Sequence, residues 1–148
     1  MAAQLHYLTV QDILWINSQI TGRVNTFNFA KLEEATYYQY AYGDSNHLVS
    51  QAARFLPGFL KMNSLEAGNH ATAFVGVLTF LKINGMAIDL KDSQAQAWFE
   101  GSKDKQSLAN EGIKSIAKPV IGHHAETPDV KKVVRDLLTE FQGTIANL

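Results

Sequence analysis

Ile13, Leu14, Ile16 and Ile20 recur at helical spacing and stop at Gly22, which predicts a first helix closed by a glycine. Thr9 is placed to cap it, and Asp12 to reach back to a free backbone N–H. Leu8 and Ile13 are spaced to staple across the start. A second, short helix is expected from Phe29 to about Thr36. The pattern then changes. In ATYYQYAYG, Tyr37, Tyr38, Tyr40 and Tyr42 form a strand-prone run ending at Gly43. The run is too short for a sheet of its own, so a β-hairpin or extended flap is the expected form. Asn46 is placed to cap a third helix from His47 to about Met62, with Pro57 expected to kink or divide it.

The stretch HATAFVGVLTFLKI is apolar around nearly its whole circumference, the mark of a central helix buried on most sides. It should end at Asn84-Gly85. Two more helices are expected, from about Ser93 to Glu100 and from Gln106 to Ala117, the second ended by Pro119. A last helix has Thr127 as cap, Pro128 in the first turn and Asp129 complementing the dipole. Along it, Val130, Val133, Val134, Leu137, Leu138, Phe141 and Ile145 lie on one stripe. No repeat or linker divides the chain. The expectation is one all-α domain over residues 1–148, a bundle around a buried central helix with a short flap.

Charge and composition narrow the function classes. With 13 Lys+Arg against 14 Asp+Glu, the net charge of −1 argues against nucleic acid as a partner. The absence of cysteine excludes disulfides, thiolate metal sites and a cysteine nucleophile, and fits a reducing, cytoplasmic setting. MAAQLHYLTVQD lacks a basic segment followed by an apolar run, so no signal peptide is expected. The apolar stretches stop well short of the ~20 residues of a membrane span, and no membrane partner is expected.

The loop ahead of the central helix holds the clearest candidate chemistry. Gly68-Asn69 precedes a helix start whose free N–H groups, after a glycine, can form an anion-binding cup. The plain alternative is a helix-to-helix turn with Asn69 as cap. His123-His124 with Glu126 and Asp129 lacks a third ligand at a zinc-motif spacing and reads as a solvent-facing loop, so no metal site is assigned. The tyrosine run is either a half-buried flap or a peptide- or base-stacking surface. No Ser-His-Asp arrangement has a supporting turn signature.

AARFLPGFLKMNSLEAGNHATAFVGVLTFLKINGMAIDL resembles the core of the Fic/Doc (death-on-curing) family. That core has an Ala/Leu-rich helix, a loop of pattern H-P-F-x-D/E-G-N-K/G-R, and a buried helix ending in F-L-x-x-N-G. TFLKING (Thr79 to Gly85) matches the end block, and Gly68, Asn69, Thr72 and Ala73 keep their places. LTVQDILWINSQI resembles the family's first helix and KLEEATYYQYAYG the segment leading into its flap, so the likeness spans about residues 8 to 90. It implies a Fic/Doc-like fold, a nucleotide- or anion-binding turn at Gly68 and Asn69, and a target-binding flap at Tyr37, Tyr38 and Tyr40. Active members transfer AMP or phosphate from ATP, with Mg²⁺, to a hydroxyl of another protein. The death-on-curing branch acts on a translation factor and is restrained by a small antitoxin.

Three working positions differ from that pattern. Asn63 stands where the family has its histidine, and a neutral amide cannot act as general base near pH 7. Ala67 replaces the Mg²⁺ carboxylate and offers no oxygen to a hard cation, and Ala71 replaces the arginine that clamps phosphate. Glu66 and His70 are the candidates for rescue. A one-residue shift turns a helical side chain by about 100°, so His70 should point elsewhere and Glu66 is the better of the two. SLANEG (Ser107 to Gly112) fits the family's inhibitory-helix pattern, but the arginine it would engage is Ala71, which leaves Glu111 a solvated residue. The expectation is a catalytically impaired relative that requires no cofactor and binds an antitoxin-like protein or peptide, or a nucleotide. The alternative is an active transferase using ATP and Mg²⁺.

Overall fold

The computed structural model describes residues 5–40, 47–120 and 127–148, and is mostly helical. The first half comprises α1 (Val10–Thr21), α2 (Phe29–Tyr37), α3 (Leu48–Met62) and α4 (Asn69–Ile83). Then follow β1 (Met86–Ile88), α5 (Asp92–Ser102), α6 (Gln106–Ile116), β2 (Ala117–Pro119), α7 (Val130–Glu140) and α8 (Gln142–Asn147). The two strands pair antiparallel, with Met86 opposite Pro119 and Ile88 opposite Ala117.

α4 is the axis of the domain. Of its 15 residues 12 are buried, so it presents no polar face, as its apolar circumference requires. α1, α3 and α7 pack around it, and α6 lies along α3. Phe74 sits at the centre of one aromatic cluster, edge-on to Phe99 at 5.9 Å and to Phe141 at 5.4 Å. α1 starts with the expected capping box: Asp12 N–H donates to Thr9 Oγ1, and Thr9 N–H to Asp12 Oδ2. It ends at Gly22 in the left-handed region.

Several boundaries differ from the sequence expectation. The described residues 35–40 form no hairpin: Tyr37 closes α2, Tyr38 keeps helical dihedrals, and Tyr40 N–H donates to Tyr37 O. The buried Gln39 side chain fixes this conformation, accepting from Leu8 N–H and donating to Leu8 O and Thr36 O. Tyr42, Gly43 and Asn46 lie outside the described residues, as do His123, His124 and Glu126.

Pro57 does not divide α3, because Phe55, Leu56 and Phe59 on either side are fully buried and hold the helix against its neighbours. The residues after α6 enter β2 rather than simply stopping at Pro119. Asp129, not Thr127, caps α7 by accepting from Lys132 N–H, so Pro128 precedes the helix. The last stripe is also broken. At Phe141 the chain turns into α8, whose start is tied to α5 by Asp92, which accepts from Gly143 N–H and from both Thr144 N–H and Oγ1.

Candidate functional site

The loop from Asn63 to Gly68 joins α3 to the buried α4 and is held from three sides. Asn63 ends α3 in the left-handed conformation (φ 47°), which an asparagine tolerates better than most residues. Gly68, at φ 78°, stands before α4. A Cβ there would lie 2.9 Å from Thr21 Cγ2 and 3.0 Å from Asn17 Nδ2, so the loop can approach α1 only through a glycine. Asn69 does not cap the helix. Its side chain reaches back, accepting from Leu65 N–H and donating to Leu65 O and to Asn63 Oδ1.

The outer edge of the loop pairs with the segment after α1. Phe27 and Leu65 form an antiparallel bridge, Asn28 N–H donates to Ser64 O, and Glu66 N–H to Thr26 O. Glu66 then turns its carboxylate onto the same segment. It accepts from Thr26 N–H at 3.0 Å and Thr26 Oγ1 at 2.8 Å, with Arg23 Nη2 3.6 Å away. The Thr26 hydrogen bonds, then Arg23, hold its pKa below the ordinary glutamate value.

The inner edge rests on side chains that the sequence reading did not single out. Buried Asn17 donates to Ala67 O and to Thr72 Oγ1, and accepts from Asn25 Nδ2, which also donates to Thr21 Oγ1. A polar residue on an otherwise apolar helical face, as Asn17 is among Ile13, Ile16 and Ile20, was the available signal.

The three replaced positions carry no acid, base or cation. The Asn63 amide accepts from Asn69, Ala67 offers a backbone carbonyl already bonded to Asn17, and Ala71 is buried at 2% exposure. The N–H groups of Asn69, His70 and Ala71 precede the first intrahelical bond, from Thr72 N–H to Gly68 O. His70 is exposed, its ring 5.8 Å from that of Phe99 on α5, whereas Glu66 faces residues 23–26. The two rescue candidates therefore engage different elements. Glu111 is exposed on α6. No group of three or more His, Asp or Glu that could hold a metal occurs among the described residues.

Of the tyrosines, Tyr37 and Tyr40 stay together, their rings edge-on at 5.9 Å, while Tyr38 faces elsewhere. Tyr40 stacks on Tyr7 at 4.1 Å, and its pKa is raised by partial burial and by the Tyr7 and Tyr37 phenols. Tyr37 is exposed. Tyr38 packs over Gly58 and under the Arg54 guanidinium, facing the same cleft as His70.

No protein-family model, curated protein or solved structure matches the chain. No described helix is long and apolar enough to cross a membrane.

Proposed function

We propose that this protein is a catalytically impaired relative of the Fic/Doc proteins that acts by binding a protein partner. The observation that carries the reading is the state of the loop. Where the family has a base, a metal ligand and a phosphate clamp, this chain has a bonded amide and two methyl groups. The nearest carboxylate, Glu66, is committed to Thr26 and Arg23. Loss of general-base help alone costs about 10²–10⁴-fold in rate, before the metal and cation contributions are counted.

A protein partner is favoured by the surface beside the loop. Val24 is 90% exposed, Phe29 59% and Phe27 40%, all on or next to the segment that pairs with Ser64–Glu66. Such a run of open apolar side chains on a paired segment is the composition of an interface core. Capture of a partner from cells that make this protein tests the proposal. Val24→Asp and Phe29→Asp should each abolish capture while the thermal midpoint stays put, because both side chains are already in solvent. Undiminished capture by both variants would rule this face out.

A further inference from the structure

The two-stranded sheet has one closed edge and one open edge. Val120 N–H donates to Gly85 O and Asp89 N–H to Ile116 O, so in this register Ala87, midway between, faces Lys118 with its backbone groups. Met86 and Ile88 alternate with Ala87 and turn their N–H and C=O groups away from β2. On β2 the outward residues are Ala117, whose N–H donates to Ile113 O, and Pro119, which has no N–H. A proline on an edge strand refuses a further strand. β1 carries no such block. The outward N–H and C=O groups of Met86 and Ile88 make no hydrogen bond with any described residue.

The side chains around this open edge have a consistent chemistry. Met86 lines two grooves. One, of about 430 Å³, runs beside Ile88, Val120 and Val133 and holds Lys82. The other, of about 510 Å³, runs beside Leu48 and Val49 and holds Lys114. Among the described residues no carboxylate lines either groove. Lys114 and, on β2, Lys118 are exposed and make no ion pair with a described residue. Lys82 helps to hold the Asp136 carboxyl below its ordinary pKa, but Asp136 is itself bonded to Lys132. Asp89, just past β1, is exposed and lines neither groove. Ala87, exposed and small, leaves the backbone of β1 approachable.

We propose that the outer edge of β1 docks an extended segment of another protein as a third strand, one that alternates apolar and acidic residues. The main-chain groups of Met86 and Ile88 supply the pairing. The period-two alternation of a strand brings apolar side chains to the grooves and carboxylates to Lys82 and Lys114. The edge shares no residue with the segment at 24–29 or the loop at 63–69, so it stands or falls separately from the function proposed above.

Titration of the isotope-labelled whole protein with a blocked peptide alternating valine and glutamate, about six residues long so as to overlap β1 at both ends, tests this assignment. The comparison ligands are the valine–lysine peptide and two valine–glutamate peptides N-methylated on one or the other alternate set of residues. The expected result is saturable binding that shifts the Met86 and Ile88 amides and slows their hydrogen exchange. Affinity should be at least tenfold above that of the valine–lysine peptide. N-methylation of one alternate set should abolish binding and of the other set should not, because only one set points its N–H groups at β1. Ile88→Pro removes only an outward N–H and should abolish binding while the pairing of Ala87 with Lys118 persists. Lys114→Glu, at an exposed position, gives an independent reading if that variant disturbs the sheet. It should cut the preference for the glutamate peptide by about tenfold, on the order of 1.4 kcal/mol. Absence of binding, equal sensitivity to both methylation patterns, or equal affinity for the lysine peptide would each overturn the assignment. So would a peptide-free dimer that Ile88→Pro separates, since a second copy of the chain would then occupy the edge.

Discussion

Gly68 is the residue on which the loop geometry turns. Its positive φ disfavours any side chain by about 1–2 kcal/mol, and the space a Cβ needs is taken by Thr21 and Asn17. Gly68→Ala should therefore lower stability by at least that amount in urea unfolding. Gly101→Ala, in α5 with nothing within 4 Å of its Cβ, should instead raise it by about 0.4–1 kcal/mol. Glu66 makes a second prediction, in pH. Its folded pKa lies below the unfolded value of about 4.3, so its contribution is present above that pH and is lost as pH falls through the folded pKa. Carboxyl chemical shifts followed from pH 6 to 2 should show Glu66 titrating below the ordinary glutamate value. In Thr26→Ala, which removes the hydroxyl donor, its titration should move back up toward that value.

At the scale of elements, local signals were legible and distant ones were not. The α1 capping box spans three residues, and the α4 circumference is a property of one segment, so both could be read from neighbours in sequence. The end of α2 could not. Strand propensity favoured extended tyrosines there, but Gln39 bonds to Leu8, 31 residues away, and keeps the backbone helical. The break between α7 and α8 has the same origin in Asp92, 51 and 52 residues from the N–H groups it accepts. The Thr144 and Gly143 bonds hold the Asp92 pKa below its ordinary value. Asp92→Ala should therefore raise amide hydrogen exchange across residues 142–147 while leaving α7 protected. A uniform rise over both helices would show that α8 does not depend on this tie.

For the molecule as a whole, the bundle around α4 separates three surfaces by chemistry. The start of α4 presents backbone donors without an accompanying charge, the segment at 24–29 presents apolar side chains, and the cleft beside α3 presents cations. The candidate loop was visible in sequence because Gly68-Asn69 precedes an apolar helix. Its asparagine support and the basic cleft were not, since Asn17 and Asn25 meet Ala67 and Thr72, and Arg54 and Lys61 meet Lys103 and Lys105, only on folding. The function proposed above is an impaired catalyst that acts by binding. Its most direct test is to incubate the protein with Mg²⁺, a lysate from cells that make it, and ATP labelled in turn at the α- and γ-phosphate. The account predicts no protein-bound label from either position above that of a protein-free control. Label transferred from the α position as AMP, or from the γ position as phosphate, and lost in Glu66→Ala or His70→Ala would contradict it.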